Sequence, residues 1–386
     1  MKPIYLDNNA TTPLDPAVMK RMADISASAF GNPGSRHAHG RAARLELENA
    51  RDEIAAILNA DPREVIFTSG GTESLQLAIH GIAHARRQTS QKQTPLNPRN
   101  LILTTQGEHP ATHAAMEQLE RQGFEKQFLP VDENGLLQES GLTDLPWDRV
   151  ALITVIYAHN ETGVIQNLTR LTQAANAHQI PVHLDAVQAV GKIPVDFQKL
   201  EISALSFGAH KFHGPRGIGG LILKEGVPIV PQLVGGFQER GRRGGTESVS
   251  LAAAMAQAMQ LSVHSANDQD IALQRNRFES ELTKRCAPAT IHCVNVDRLP
   301  NTSNIAFDGI DGDALLVSLD LAGVSCSLGS ACASGSTEPS PVFLAMGVSP
   351  QVAKSSLRFS FSRMTTAEET TEAIVRIEKA VARLRG

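Results

Sequence analysis

Short apolar segments alternate with longer amphipathic ones from about residue 40 to residue 225. The short segments are rich in Val and Ile and too short for helices, so each predicts a buried strand. They read "EVIFT", "NLILTT", "RVALITVI", "PVHLD", "ISALSF" and "GGLIL". Between them, apolar residues recur at helical spacing and predict helices over 42–59, 73–87, 111–122 and 168–178. This alternation predicts an α/β domain with a mostly parallel central sheet, whose ligands bind at the carboxyl ends of the strands.

The pattern changes after "GGFQERGRRGGTES". The segments that follow predict helices over 247–264, 268–285, 312–322 and 366–384, and short strands near 291–296 and 303–307. This order is typical of a smaller α+β domain packed on the first. We therefore expect a large domain over residues 15–255, and a small domain built from residues 1–14 and 256–386.

Composition and charge restrict the class of protein. The 386 residues are 41% hydrophobic and 20% charged, with a net charge of -4, which gives no electrostatic footprint for nucleic acid or an anionic membrane. The start of the chain, "MKPIYLDNNATTPLDP", lacks the apolar core of a signal peptide, and no apolar run reaches the ~18 residues of a membrane span. The four cysteines form no CxxC pair. We expect a cytoplasmic protein whose thiols stay reduced and whose partners are small molecules or proteins.

The segment "VIFTSGGTES" joins a strand to a helix through glycines. The free N–H groups at the start of that helix, together with the Thr72 hydroxyl, form an anion site that suits a phosphate. A plain strand-to-helix turn with Thr72 as its cap explains the same residues. The segment is not a P-loop, because no GxxxxGK[ST] occurs in the chain.

Three more candidates lie at predicted strand ends: Asp185 of "PVHLD", Lys211 of "SFGAHK" and His109 of "TTQGEHPA". Taken alone, Lys211 reads as a solvated loop lysine. With a phosphate site the set supplies what pyridoxal phosphate needs: a lysine for its aldehyde, an acid for its pyridine nitrogen and an imidazole to stack on the ring. His109 and His113 have i,i+4 spacing but no third ligand in reach, so we expect no metal site.

The chain resembles the cysteine desulfurases, the NifS/IscS-like branch of the class V aminotransferase family, which are fold-type I pyridoxal-phosphate enzymes. The similarity runs nearly end to end. It rests on "YLDNNATTPLDP", "FGNPGSRHAHG", "VIFTSGGTES", "GEHPA", "HNETGVIQ", "HLDAVQAVGKIPVD", "AHKFHGPRGIGG", "GGFQERGRRGGTESV", "LGSACASG" and "SSLRFSF".

This resemblance implies a role for each matching residue that binds the cofactor. Lys211 would carry pyridoxal phosphate, Asp185 would pair with its pyridine nitrogen and His109 would stack on its ring. The remaining cofactor-binding residues would be Asn160 and Gln188 at the phenolic oxygen, and Gly71, Thr72, His210 and the Thr246 of a partner subunit at the phosphate. The resemblance therefore also implies a homodimer.

The same resemblance implies the reaction. Arg358 would bind the carboxylate of L-cysteine, and Asn8 and Asn160 would line the substrate site. Cys332, in the Gly- and Ser-rich segment "LGSACASG", would take the substrate sulfur as a persulfide, with release of L-alanine. The sulfur would pass to an acceptor protein, such as an iron–sulfur scaffold, for iron–sulfur cluster assembly or other sulfur trafficking.

Several positions depart from the usual pattern of the family. Gly208 stands where a serine commonly binds the phosphate, His159 stands first in the usual Asn-Asn-Glu, and Pro341 replaces a histidine or tyrosine. Loss of one charge-assisted hydrogen bond at residue 208 would weaken cofactor retention by about 1.5–3 kcal/mol. Cys326 is a second thiol six residues before Cys332, at a position usually held by serine or alanine.

Two other functions fit parts of this pattern. One is a different pyridoxal-phosphate enzyme, such as a selenocysteine lyase or an aminotransferase, which would not need Cys332. The other is a catalytically weak scaffold or sulfur-relay partner. The absence of the usual serine at Gly208 is the reason to consider it. The presence of Lys211, Asp185 and His109 favours catalysis.

Overall fold

The structure is a computed structural model of the 386-residue chain, and it describes residues 2–93, 98–264, 268–328 and 339–386. The helices are α1 (Pro16–Ser28), α2 (Ala38–Leu58), α3 (Gly71–Gln93), α4 (Pro110–Arg121), α5 (Thr169–Ala177), α6 (Val249–His264), α7 (Asp268–Arg285), α8 (Gly312–Leu321), α9 (Pro341–Ala345), α10 (Pro350–Lys354) and α11 (Ala367–Arg385). The strands are β1 (Ile4–Tyr5), β2 (Val65–Thr68), β3 (Leu101–Thr104), β4 (Glu125–Phe128), β5 (Val150–Ile156), β6 (Val182–Asp185), β7 (Ala204–Gly208), β8 (Gly219–Leu223), β9 (Ala289–Ile291), β10 (Thr302–Phe307), β11 (Val324–Ser325), β12 (Ser327–Leu328) and β13 (Ser356–Ser360).

A seven-stranded sheet in the order β2-β8-β7-β6-β5-β3-β4 forms the centre of the large unit. Its strands pair in parallel from β7 to β4, and only β8 runs antiparallel to its neighbours. Every residue of the six predicted strands is buried, which explains their continuous apolar sequences. The mostly parallel sheet predicted from the sequence is confirmed.

The direction of the strands brings the candidate residues to one edge of this sheet. β2 and β7 both run antiparallel to β8, so they run in the same direction as each other and as β3, β5 and β6. The segments that follow β2, β3 and β7 carry Gly71, His109 and Lys211, and Asp185 is the last residue of β6. The carboxyl ends of parallel strands are where open α/β sheets bind ligands.

A second, antiparallel sheet in the order β12-β13-β10-β9 has helices α7, α8 and α11 packed against it. Its core includes the aromatic rings of Phe278, Phe307, Phe359 and Phe361, all fully buried. The N-terminal strand β1 pairs in parallel with β11, so the start of the chain packs with this second unit. A smaller α+β unit is therefore present beside the large sheet.

Two predicted boundaries differ from the structure. Helix α6 is continuous over Val249–His264 and packs against α1 and α2, so the predicted division after residue 255 falls inside a helix. The exact division into domains stays a prediction. The strand predicted near 291–296 is wrong in position, because β9 ends at Ile291 and Cys293 has a left-handed φ of 57° that a strand does not adopt. Over the parts of the chain that the structure describes, no helix is both long and apolar enough to cross a membrane.

Candidate active site

A cavity of about 460 Å³ opens at the edge of the large sheet where the parallel strands end. Its walls come from the segments after β2, β3, β5, β6 and β7, from the N-terminal segment, and from β12 and β13 of the second sheet. The volume lies within the usual range for small-molecule sites. Residues of both sheets therefore face one space that is large enough for a small cofactor and an amino acid.

Lys211 ends a short 3₁₀ turn that directly follows β7. Its Nζ donates hydrogen bonds to the backbone carbonyls of Asn9, at 2.6 Å, and Ala10, at 2.9 Å. Burial, and then the positive charge of Arg358, lower the pKa of Lys211 to about 8. A substantial part of this amine is therefore neutral just above neutral pH, as a nucleophile or base requires.

Asp185 is the last residue of β6, and its side chain lines the cavity although it is 3% exposed. Its Oδ1 accepts a hydrogen bond of 3.0 Å from the backbone N–H of Val187. Burial raises the pKa of Asp185 to about 6, against the opposing effects of that hydrogen bond and the charge of Lys211. A buried carboxyl of this kind is stabilised by a cationic partner, which a protonated pyridine nitrogen provides.

His109 begins α4 and also lines the cavity. Its Nδ1 accepts a hydrogen bond of 3.1 Å from the backbone N–H of Ala111, so the neutral ring carries its proton on Nε2. Burial, followed by the charges of Lys211 and His113, lowers the pKa of His109 to about 4. The ring is therefore a neutral, oriented imidazole at neutral pH, which can stack on an aromatic cofactor and exchange a proton.

The start of α3 forms the opposite end of the cavity. Gly71 and Thr72 are its first two residues, and both line the cavity together with His210. The His210 ring lies 3.1 Å from the Thr11 hydroxyl through Nδ1. The N-terminus of a long helix presents unpaired N–H groups and a partial positive charge, so this end of the cavity suits a phosphate.

Gly208 leaves space at this same end. A Cβ on Gly208 would lie 3.2 Å from the backbone nitrogen of Gly71. The nearby Ser206 hydroxyl does not replace a missing serine there, because it contacts the Ser74 hydroxyl at 2.8 Å and the Nε2 of His183 at 2.9 Å. The phosphate end of the cavity therefore has no side-chain hydroxyl from β7.

Arg358 lies in β13 of the second sheet and lines the cavity. Its Nη2 donates to Oδ1 of Asp7 at 2.7 Å, and its Nη1 donates to the carbonyl of Asn160 at 3.0 Å. Its Nε is buried and has no hydrogen-bond partner among the described residues. These two contacts hold the guanidinium in place and leave further Nη–H donors for a carboxylate.

Two predicted residues do not line the cavity of this chain. Thr246 is exposed and lies outside the lining residues, as a group that acts in a partner subunit would. Asn8 also lies outside them, because its Nδ2 donates to the carbonyl of Ser360 at 2.8 Å. The neighbouring Asn9 lines the cavity instead.

The two predicted amide side chains, Gln188 and Asn160, both line the cavity. Gln188 is 3% exposed, and its Nε2 donates to the carbonyl of Asn9 at 2.9 Å. The carbonyl of Asn160 accepts from the Nδ2 of Asn9 at 3.1 Å. The side chain of Gln188 and the backbone of Asn160 are therefore both joined to the N-terminal segment at Asn9.

Two buried carboxyls line the cavity although the sequence did not indicate them. Glu108 accepts from the Thr105 hydroxyl at 2.7 Å and from the N–H of Ile156 at 3.1 Å, and burial raises its pKa to about 8. Glu161 accepts from the Ser340 hydroxyl at 2.9 Å, and burial raises its pKa to about 7. Each adjoins a predicted residue, so the motifs "GEHPA" and "HNETG" contained the signal.

His159 and Pro341, two of the departures from the family pattern, have structural explanations. The His159 ring lies 2.8 Å from the carbonyl of Gly107 through Nε2, and its Nδ1 accepts from the N–H of Glu161 at 3.1 Å. Pro341 is the first residue of α9, where a fixed φ and a missing N–H are favourable. His159 therefore braces the segment after β5, and Pro341 begins a helix.

Cys332 lies outside the described residues, within 329–338. The residues on both sides of that segment line the cavity: Ser327 and Leu328 before it, and Ser340 and Pro341 after it.

The three described cysteines are less reactive thiols. Cys286, Cys293 and Cys326 are free, and burial is the largest cause of the raised pKa of each. The thiolate is the nucleophilic form, so none of these three is activated. In the described ranges, no group of three or more His, Cys, Asp or Glu side chains is placed to hold a metal ion.

Comparison with known families and curated proteins gives full-length matches. Residues 4–372 match the family described as aminotransferase class-V. The chain is 42% identical to a cysteine desulfurase of Enterobacter agglomerans, with 100% of this chain and 94% of that protein covered. It is 40% identical to the cysteine desulfurase IscS of Vibrio vulnificus strain YJ016, with 99% of this chain and 94% of that protein covered.

Solved structures also match this chain over nearly its whole length. A NifS-like protein superposes with a TM-score of 0.90 at 34% identity, covering 99% of this chain and all of the other. A structure titled as SspA in complex with cysteine superposes with a TM-score of 0.80 at 29% identity, covering 93% of this chain and 98% of the other.

Proposed function

The chain belongs to the class V aminotransferase family and to its cysteine desulfurases, and on that premise we propose the following assignment of its residues. The protein is a pyridoxal-phosphate enzyme that converts L-cysteine to L-alanine and transfers the sulfur to its own Cys332. This assignment rests on one observation, which is that Lys211, Asp185 and Arg358 all line the same cavity. Both ends of the segment that contains Cys332 lie on the wall of that cavity.

The side chains at the cavity fit pyridoxal phosphate. Lys211 offers an amine of lowered pKa to the aldehyde, and the buried Asp185 offers an anion to the pyridine nitrogen. The start of α3 offers N–H groups to the phosphate. When bound, the cofactor supplies an electron sink that makes the α-proton of an amino acid acidic.

The remaining cofactor contacts follow the positions of the side chains. His109 would pack against the ring, Gln188 and Asn160 would bind the phenolic oxygen, and His210 would assist at the phosphate, since all four line the cavity. These roles rest on their placement around the cavity and on the motifs that they share with the family.

The substrate carboxylate binds at Arg358. The Asp7 carboxylate and the carbonyl of Asn160 hold the guanidinium, and its remaining Nη–H groups are the donors for the substrate. Lys211, once its amine is free, removes the α-proton of the substrate. Its lowered pKa keeps much of that amine unprotonated at weakly alkaline pH.

Sulfur transfer uses the thiolate of Cys332. The Cys332 sulfur attacks the substrate sulfur and an S–S bond forms, while the bond between that sulfur and the substrate Cβ breaks with its electron pair left on Cβ, which takes up a proton to become the methyl group of alanine. The products are a persulfide on Cys332 and L-alanine, and the reaction needs no external oxidant or reductant. The His109 imidazole, neutral at neutral pH, exchanges the proton of a thiol in the cavity.

The proposal also includes two protein partners, a second copy of this chain and a sulfur acceptor. Val234 and Phe237 are 81% and 85% exposed in the segment that leads to Thr246. Their exposure supports a homodimer in which Thr246 reaches the phosphate site of the partner subunit. The persulfide sulfur then passes to an acceptor protein in the cytoplasm, such as an iron–sulfur scaffold.

A single substitution tests this function. Cys332→Ala should bind pyridoxal phosphate as the wild-type protein does and should lose alanine formation from L-cysteine. The alternative pyridoxal-phosphate lyase makes alanine without Cys332, so unchanged alanine formation in this variant would refute the desulfurase assignment.

A further inference from the structure

A second buried lysine, Lys192, lies behind the wall of the active-site cavity. It is 9% exposed, and it lies four residues after Gln188 in the turns that follow β6. Its Nζ donates to Oδ1 of Asn9 at 2.8 Å and also donates to Oε1 of Gln188. Among the described residues it forms no ion pair, so neutral amide oxygens alone accept from it.

Two contacts together determine the direction of the Gln188 amide. The Asn9 carbonyl can only accept, so the group of Gln188 that faces it is Nε2, and Oε1 is then the group that accepts from the Nζ of Lys192. The Nε2 group of Gln188 faces Asn9, which also lines the cavity, and one of its hydrogens goes to the carbonyl of Asn9 at 2.9 Å. An NH₂ group has a second hydrogen, and that hydrogen remains for a ligand.

Asn9 is held by more partners than Gln188. Its Oδ1 also accepts from Nδ2 of Asn301 at 3.0 Å, and its own Nδ2 donates to the Thr302 hydroxyl at 2.9 Å and to the carbonyl of Asn160 at 3.1 Å. These contacts determine the orientation of Asn9 without Lys192. Among the described residues, by contrast, Lys192 is the only donor to Oε1 of Gln188.

We propose that Lys192 is a positioning residue that keeps the Gln188 amide turned with its N–H donor, and not its oxygen, towards the cofactor. This inference rests on the proposed function, because the group that needs the donor is the phenolic oxygen of pyridoxal phosphate. If the Gln188 amide were turned the other way, its Oε1 would face the phenolic oxygen of the cofactor. The hydrogen bond from Nε2 to that charged oxygen would then be lost. Lys192 itself touches neither the cofactor nor the substrate.

The test measures pyridoxal phosphate on the purified holoenzyme. Lys192→Met should shift the visible absorption band of the bound cofactor and should speed its release into cofactor-free buffer about tenfold, because one charge-assisted hydrogen bond is lost. Gln188→Leu should have a similar effect. The double variant should release the cofactor no faster than Gln188→Leu alone, since Lys192 acts through Gln188.

Controls separate this role from a loss of packing. Lys199→Met alters an exposed lysine a few residues further along and should match the wild-type protein in both readouts. If Lys192→Met does not fold, Lys192→Gln is measured in its place, in the wild-type and Gln188→Leu backgrounds. A variant at Lys192 that melts at a lower temperature but keeps the wild-type band and release rate would overturn the inference.

The double-variant series also has a contradicting outcome. Equal acceleration by the Lys192 substitution in the wild-type and Gln188→Leu backgrounds would mean that Lys192 does not act through Gln188. The proposed function fails separately, if the wild-type protein itself binds no pyridoxal phosphate or forms no alanine from L-cysteine.

Discussion

Arg358 and Asp7 form a buried ion pair at the edge of the cavity, with 2.7 Å between Nη2 and Oδ1. The pair joins β13 of the second sheet to the N-terminal segment. Because a guanidinium is planar, this contact and the one to the Asn160 carbonyl fix the direction of its remaining N–H groups. A substrate carboxylate therefore meets a donor that is oriented before it binds.

Arg358→Lys should raise the KM for L-cysteine by roughly 10- to 100-fold, with a smaller change in kcat, because one ammonium cannot replace a charged, oriented fork. Steady-state alanine formation measures both constants. Arg298→Lys is the matched control, since Arg298 is equally buried and pairs with Glu279 at 2.8 Å away from the cavity. Similar KM values for the two variants would contradict carboxylate binding at Arg358.

Gly208→Ser should slow the release of pyridoxal phosphate several-fold, by adding a hydroxyl donor at the start of α3. A Cβ at residue 208 lies 3.2 Å from the Gly71 nitrogen, so the start of the helix must shift slightly to accept it. Gly208→Ala introduces the same crowding without the hydroxyl and serves as the control. The prediction is wrong if the serine variant loses the cofactor as fast as the alanine variant.

The cofactor-free protein should become more stable as the pH rises from about 4.5 to 6.5. Burial lowers the pKa of six histidines to about 4 or below, against an unfolded value near 6.5. They are His109, His159, His183, His210, His213 and His292. In this window the unfolded chain binds more protons at these sites than the folded chain, so the free energy of unfolding rises with pH.

Three buried carboxyls, Glu108, Glu161 and Asp185, have a raised pKa and act in the opposite direction. They are fewer than the histidines, so the net slope stays positive. Urea unfolding at several pH values measures this slope. A midpoint that is constant or falls between pH 4.5 and 6.5 would contradict the prediction.

Cys326 should not take part in sulfur transfer. Burial and the negative charge of Asp7 raise the pKa of its thiol, so little thiolate forms at neutral pH. Cys326→Ser should keep alanine formation within about twofold of wild type, and iodoacetamide at pH 7.5 should leave Cys326 largely unmodified. Peptide mass spectrometry follows the labelling, and rapid alkylation of Cys326 would refute its assignment as an inactive thiol.

Much of the large sheet could be predicted from the sequence because its strands are buried on both faces and therefore uniformly apolar. β4 was missed for the opposite reason, since it is a polar edge strand, Glu125–Phe128, with mostly exposed side chains. The predicted division after residue 255 was based on the change in the pattern of elements after residue 248. Helix α6 follows that change and packs on α1 and α2, a contact that the pattern along the chain does not show.

In the site, residues that end strands were predictable, because the carboxyl ends of parallel strands meet at one edge. Asp185 and Lys211 are examples, and both line the cavity. The choice between Asn8 and Asn9 was not predictable, since it depends on how the N-terminal segment crosses between the two sheets. The role of Lys192 was not predictable either, because only the fold brings its Nζ to Asn9.

The most direct test of the desulfurase assignment follows sulfur on the wild-type protein. The protein, loaded with pyridoxal phosphate, is given L-cysteine without reductant, alanine is measured, and the protein is examined by intact and peptide mass spectrometry. The account predicts the mass of one added sulfur atom on Cys332, removed by reductant, with one alanine formed for each sulfur bound in the first turnover. Alanine formed with no sulfur on Cys332 would contradict it.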